Sequence, residues 1–280
     1  DIDRLKPHAR AGVNVLVVGA GYIGLEAAAA LTQMGARVKV LEAAPQVLGR
    51  VAGPEIGQFF LETHRAAGVE IMLNARLSEF VGEGGKLTGA RLAEGDIVDC
   101  DIALVGVGVV PNMEIAEQAG IRCGNGICVD EQAQTSAEGV YAIGDVALRP
   151  LTHYRREGRL ESVHNAIEGG KIAAAAIMGA PPPPIDVPWF WSDQYALKLQ
   201  TAGLWTGADE SVLRGEPQSG RFAVFYLKEG AVIAVDAVNS PPDFIVGKKL
   251  VAAGARVAPG ELGDTSISMK EISAKALSPS

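Results

Sequence analysis

The chain has 280 residues, enough for two domains, with 48% apolar residues and a formal charge of -8. That acidic balance argues against a nucleic-acid-binding protein, which carries a basic face or a high pI. Its three cysteines, Cys100, Cys123 and Cys128, form no C-x-x-C pair, so a disulfide scaffold, a dithiol redox centre and a structural zinc site are not expected. Free thiols fit a cytoplasmic setting. No uninterrupted apolar run is long enough to cross a membrane, and Asp1 to Lys6 has no signal-peptide character.

Val13 to Val18 is a continuous apolar run, the pattern of a strand buried on both faces. Gly19-Ala20-Gly21-Tyr22-Ile23-Gly24 follows, and Leu25 to Met34 then predicts an Ala-rich helix stopped by Gly35. Arg37 to Leu41 predicts a second strand ending at Glu42. Pro54 to about Ala67 predicts a helix with Gly68 just past it, and Val69 to Leu73 a third strand. Strand, helix, strand, helix, strand implies parallel pairing with right-handed crossovers. Residues 76 to 100 predict a hairpin pair broken at Gly84-Gly85 and Glu94-Gly95. Ile102 to Val107 predicts a buried strand; Ile127 to Val129 and Val140 to Ile143 predict short ones. Ser162 to Met178 predicts a helix that Gly169-Gly170 interrupts. Pro181 to Pro184 reads as a stiff extended spacer and a domain boundary. Beyond it, Ala196 to Gly203, Phe222 to Leu227 and Ala231 to Val238 predict a mostly antiparallel sheet, with a helix near Asp243 to Ala253.

Gly19, Gly21 and Gly24 make G-x-G-x-x-G between a strand and a helix, the context that gives this otherwise weak pattern meaning. The first glycine permits the tight turn, the second a close approach of backbone to pyrophosphate, and the third helix–strand packing. The helix start presents N–H groups and a positive dipole end to phosphates. Glu42, 18 residues after Gly24, stands where a carboxylate accepts from ribose hydroxyls and repels a 2′-phosphate, so NADH is favoured over NADPH. The glycines alone leave open whether the dinucleotide is NAD or FAD.

Further segments point to one family: Tyr22 to Glu26 within the fingerprint, Gly106 to Asn112, Thr135 with Tyr141 to Asp145, Glu161 to Ala166, and Pro188 to Tyr195. In this order and spacing they resemble the FAD-dependent ferredoxin reductases, which include putidaredoxin and rubredoxin reductases and the reductases of aromatic-ring dioxygenase systems. The resemblance covers almost the whole chain. It implies an α/β fold: a doubly wound parallel-sheet dinucleotide-binding domain, part of a glutathione-reductase-like two-dinucleotide fold, plus a small α+β carboxy-terminal domain. It further implies an NAD(H) domain over 1–108, a returning part of the FAD domain over 109–184, and an interface domain over 185–280. Only one glycine fingerprint is present, so the front half of the FAD domain is expected to lie outside these 280 residues, and the chain alone to hold little FAD.

The implied reaction is hydride transfer from NADH to FAD, then single electrons to a ferredoxin-type iron–sulfur protein. The flavin carries the chemistry, so no catalytic acid, base, nucleophile or metal is expected. The resemblance implies NAD contacts at Gly19, Gly21, Tyr22, Ile23, Gly24, Glu42, Gly106 and Gly108. It implies FAD contacts at Gly144, Asp145, Val163 and Trp191, and a nicotinamide- or flavin-positioning role for Glu26. Trp191 is implied in ferredoxin docking; by charge, Lys171 with Arg155, Arg156 and Arg159 reads as a basic face for an acidic ferredoxin, and the three arginines read equally well as a solvated loop. His164 stands where the family usually has proline and is expected to be structural. The rival readings are another flavoenzyme of the fold, such as an NADH oxidase or the apoptosis-inducing-factor type, and a fragment that binds NAD alone.

Overall fold

The computed structural model describes residues 2–184 and 186–278. Asp1 and Ile185, at the expected start and domain boundary, lie outside the described residues. Internal contacts divide the chain into two compact units, Asp1–Gly108 with Trp191–Ser280, and Val109–Phe190.

The first unit opens with a short helix, α1 (Ile2–Leu5), and continues as β1 (Asn14–Val18), α2 (Tyr22–Gln33), β2 (Arg37–Glu42), α3 (Pro54–Ala66) and β3 (Glu70–Leu73). A meander, β4 (Leu77–Glu83), β5 (Lys86–Leu92) and β6 (Ile97–Asp99), precedes β7 (Ile102–Val105). The main sheet runs β3-β2-β1-β7, with every pair parallel. Its centre is buried on both faces, as the apolar run at β1 requires. Val15 and Val17 pack with α2 and α3, whereas Leu16 and Val18 pack with Ala90, Leu92 and Val98 of the meander. Alternate strand residues point to opposite faces, so each face receives every second residue. Along α3, Ile56, Phe60 and His64 recur at four-residue spacing on the buried side, and Pro54 occupies the first turn where its missing N–H costs nothing.

The buried strand expected over Ile102 to Val107 is corrected. It ends at Val105 and is only half-buried, with Val105 and Val107 exposed. The reason is its place at the sheet edge, where β1 is its one partner.

The carboxy-terminal part of this unit is a five-stranded sheet in the order β12-β13-β16-β15-β14. Its strands are β12 (Trp189–Gln194), β13 (Leu197–Gly203), β14 (Glu210–Glu216), β15 (Arg221–Lys228) and β16 (Ala231–Val238); the boundary between units falls inside β12. Leu199, Phe222, Val224, Tyr226, Ala234 and Val238 of this sheet join the same core as β1, α2 and α3. Three helices follow, α6 (Pro241–Ala252), α7 (Pro259–Gly263) and α8 (Met269–Ala276). Buried Arg214 of β14 ties them down. Its Nε donates to Asp243 Oδ1 at 3.0 Å, and its Nη atoms donate to the carbonyls of Leu262, Asp264 and Ile267. An arginine at an inward strand position defeats apolar-alternation reading, and β14 was not predicted.

The second unit holds α4 (Glu114–Gln118), β8 (Cys123–Gly124), β9 (Gly126–Cys128), β10 (Ala147–Leu151), β11 (Arg156–Gly158) and α5 (Val163–Ile177). Two expectations are corrected here. Val140 to Ile143 is no strand: Tyr141 makes one isolated bridge to Gln134, and a 3-10 turn begins at Gly144. The strand is β10 instead, which Pro150 had disguised. Proline is tolerated there because β9 pairs with β10 only at Ala147 and Leu148. Nor does Gly169-Gly170 interrupt α5, which runs unbroken through both. A Cβ on Gly169 would stand 3.2 Å from the Ile143 Cβ, so glycine lets the helix pack closely on that segment.

Candidate functional site

The Gly19–Gly24 turn is built from close backbone contacts. Gly19 has φ +100°, and a Cβ there would stand 2.5 Å from the Gly106 carbonyl oxygen. Gly24 is more tightly held: its Cβ would stand 2.0 Å from the Gly19 carbonyl oxygen. The Gly19 N–H donates to Leu41 O and the Gly106 N–H to Val18 O, so the ends of β1, β2 and β7 converge on the turn.

Gly21 differs from both. It caps α2 in an ordinary extended conformation, φ -78° and ψ -172°, and a Cβ on it would meet nothing within 4 Å. Neither backbone conformation nor a protein neighbour demands glycine there. The first N–H groups of a helix have no intrahelical partners, so this open corner beside them is a cradle for an anion.

Glu42, at the end of β2, receives two backbone N–H groups, Ala20 at 2.7 Å on Oε2 and Ala44 at 2.8 Å on Oε1. Its carboxylate therefore orders the glycine turn. Tyr22 divides between two environments. Its backbone lies in the first turn of α2, while its side chain packs into the core. Burial, with Asp236 and Glu26 nearby, pushes its phenol well above the ordinary range. Ile23 is exposed at the same turn. Gly108 has φ +113°, and a Cβ on it would stand 3.8 Å from Arg50 Nη1. Sequence reasoning missed that cation, because Arg50 lies in the loop beyond the fingerprint unit.

Glu26, on the next turn of α2, accepts from the Ser192 hydroxyl at 2.6 Å. Their separation of 166 positions hides this pair from any sequence pattern. Trp191 follows on β12 and is 42% exposed.

In the second unit, Gly144 has φ +70° and Asp145 lies exposed in the 3-10 turn. The Asp145 carbonyl accepts from Arg159 Nη1 at 2.6 Å, and Asn165 Nδ2 reaches Gly144 O at 3.4 Å. Ser162 caps α5 by accepting from the Asn165 N–H at 3.1 Å, which leaves Val163 exposed at the helix start. Gly144, Asp145 and the start of α5 are thus brought together. Arg159 turns inward, pairing with Glu161 at 2.7 Å, and does not extend a solvated basic face. Lys171 is exposed and pairs with Glu168 one turn earlier. His164 pairs with Asp186 at 2.9 Å, its ring 5.5 Å from that of Trp189, a structural position.

Cys100, Cys123 and Cys128 are free thiols. Among the described residues no group of three His, Cys, Asp or Glu side chains is placed to hold a metal ion, and no helix is long and apolar enough to cross a membrane.

Comparison with known proteins places this arrangement. Residues 1–170 match the pyridine nucleotide-disulphide oxidoreductase family, and residues 189–273 the reductase C-terminal family. A 5,5′-dehydrodivanillate O-demethylase ferredoxin reductase subunit from Sphingobium sp. is 43% identical over 98% of this chain and 67% of its own length. Putidaredoxin reductase from Pseudomonas putida is 38% identical over 94% of this chain and 63% of its own. The chain thus spans roughly two thirds of the length of these relatives. Among solved structures, the covalent putidaredoxin reductase–putidaredoxin complex superposes with a TM-score of 0.96 at 37% identity, covering 100% of this chain and 67% of that one. The chain belongs to the pyridine nucleotide-disulphide oxidoreductase family, among the members that carry the reductase C-terminal domain and are related to ferredoxin reductases.

Proposed function

We propose that this chain works in an NADH-dependent, FAD-containing ferredoxin reductase. The enzyme would move hydride from NADH to FAD and then single electrons to a ferredoxin-type iron–sulfur protein serving an oxygenase or P450 system. One observation carries the nucleotide assignment: Gly21 is the fingerprint glycine that no protein contact requires, and it stands at a helix start. In this reading residues 1–108 bind NAD(H), with Gly19, Gly21, the backbones of Tyr22 and Ile23, Gly24, Glu42, Gly106 and Gly108 around the dinucleotide. Residues 109–184 are the returning part of the FAD domain, and 185–280 the interface domain.

When bound, FAD supplies two-electron acceptance and one-electron release. The chain's own residues hold and orient it. Asp145, exposed at a turn opened by Gly144, accepts from ribityl hydroxyls. The start of α5 at Val163 presents N–H groups and a positive dipole end to the pyrimidine ring. Trp191, 42% exposed, would contact the flavin and the ferredoxin, and exposed Lys171 would offer a cation to the ferredoxin. Glu26 seats the nicotinamide. The three free thiols support a cytoplasmic setting. The test is ferredoxin reduction by NADH in the intact protein. Equal NADH consumption with oxygen alone would favour an oxidase instead.

Glu42 sets the preference for NADH, because its carboxylate would stand against a 2′-phosphate. Glu42→Gln keeps the shape and removes the charge, together with one of the two backbone hydrogen bonds, so the ratio of the two affinities is the quantity that reports the charge. The variant is expected to narrow the NADH-to-NADPH affinity ratio about tenfold, a change of about 1.4 kcal/mol, mainly by tighter NADPH binding. An unchanged ratio in ligand titrations contradicts the assignment.

A further inference from the structure

Glu26 stands at the end of a buried polar chain. Ser192 donates to Glu26 Oε1 at 2.6 Å, and Gln194 Nε2 donates to Ser192 Oγ at 3.1 Å. His64 Nε2 lies 2.8 Å from Gln194 Oε1, and the Tyr195 hydroxyl 3.1 Å from His64 Nδ1. Ser192, Gln194 and His64 are each 0% exposed. Ser192 and Gln194 alternate on one face of β12, His64 comes from α3, and Glu26 from α2.

The direction of every bond follows from the carboxylate. A carboxylate only accepts, so the Ser192 hydrogen goes to Glu26. Ser192 Oγ must then accept from the Gln194 amide, which turns the Gln194 oxygen toward His64. His64 therefore carries its proton on Nε2 and accepts the Tyr195 hydroxyl hydrogen on Nδ1. Burial holds His64 below the ordinary histidine range, in keeping with one neutral tautomer. Each donor group in the chain reaches an acceptor, and the dipoles add toward Glu26. Glu26 Oε2 takes no protein hydrogen bond among the described residues.

Apolar side chains of the same volume would fill this space without a pairing requirement, whereas every polar group buried here must find a partner. We propose that Ser192, Gln194, His64 and Tyr195 are positioning residues that lock the Glu26 carboxylate in one orientation, with Oε2 offered to the bound nicotinamide. This rests on the reading of Glu26 given above, and it makes the carboxy-terminal strand β12 part of the nicotinamide site.

The test is a double-mutant cycle in the intact protein, read as NADH dissociation constant by fluorescence titration and as hydride-transfer rate after flavin loading. Ser192→Ala is expected to weaken NADH binding or slow transfer about tenfold, and Glu26→Gln at least as much. The Ser192→Ala/Glu26→Gln double variant is expected to be no worse than Glu26→Gln alone. Tyr195→Phe removes one oxygen at the far end and serves if Ser192→Ala fails to fold; its expected loss is about threefold, abolished in the Glu26→Gln background. If Glu26→Gln is impaired but these variants match the parent, or add to it, the positioning chain is wrong and the role of Glu26 stands. If Glu26→Gln matches the parent in both readouts, the role of Glu26 falls and the chain's role with it.

Discussion

A Gly24→Ala variant is expected to lose about 3 kcal/mol of stability, whereas Gly21→Ala keeps its fold and loses its ligand. At Gly24 the new methyl would stand 2.0 Å from the Gly19 carbonyl oxygen and 3.4 Å from the Val17 side chain. Both belong to the central strand and its turn, so relief requires moving the backbone. At Gly21 the methyl meets no protein atom within 4 Å, and φ of -78° suits alanine. The remaining cost is the poorer helix cap, under about 1 kcal/mol, or about 2–4 °C in melting temperature. NADH binding should nevertheless weaken ten- to hundredfold, because the methyl keeps the pyrophosphate off the helix-start N–H groups, and each charge-assisted hydrogen bond is worth about 1.5–3 kcal/mol. Thermal melts and NADH titrations of the two variants separate the effects. Parental NADH affinity in Gly21→Ala would remove the main support for the nucleotide site.

Stability should also depend on pH through Asp236. This residue of β16 is 2% exposed, and burial raises its carboxyl to about 7. The Tyr226 hydroxyl, donating at 2.9 Å, and the more distant Gly53 N–H at 3.5 Å pull it back only in part. Tyr226 is itself pushed far up by burial and by the Asp236 charge, so it stays a neutral donor. The folded state thus keeps a proton that the unfolded chain releases near pH 4. Asp236 contributes its stability fully below about pH 4, and the contribution is lost as pH rises to about 7, by up to about 4 kcal/mol in all. Other carboxylates titrate over the same range, so the informative quantity is the difference from Asp236→Asn, which keeps an acceptor for Tyr226. Denaturant unfolding should show the variant gaining on the parent between pH 4.5 and 7.5 and holding level above. A difference independent of pH would mean that the carboxyl is ionised throughout.

Gly19, Gly21, Gly24 and Glu42 were legible because the features that identify them are local: a strand, a turn, a helix start and an acid one βαβ step later. The same holds for β1, β2, α3 and α5, whose periodicities and terminal signals lie within a dozen or so residues. The motif order along the chain also marked out the family, to which the comparisons then assigned it. Elsewhere local rules misled. Gly169 suggested a break in α5 where it instead lets the helix pack on Ile143, inward Arg214 of β14 is satisfied by groups 29 to 53 positions away, and Pro150 stands in β10 where β9 does not pair.

From residue order alone came the parallel dinucleotide fold, its glycine turn and the acid at the end of β2, since backbone conformation and hydrophobic periodicity are short-range properties. Only the tertiary structure decided that Tyr22 faces inward, that Glu42 also ties down the turn, and that Glu26 ends a chain through Ser192, Gln194, His64 and Tyr195. Those bonds join positions up to 166 apart. A buried polar group takes whichever partner the packed core brings within 3 Å or so, and no spacing along the chain encodes that choice.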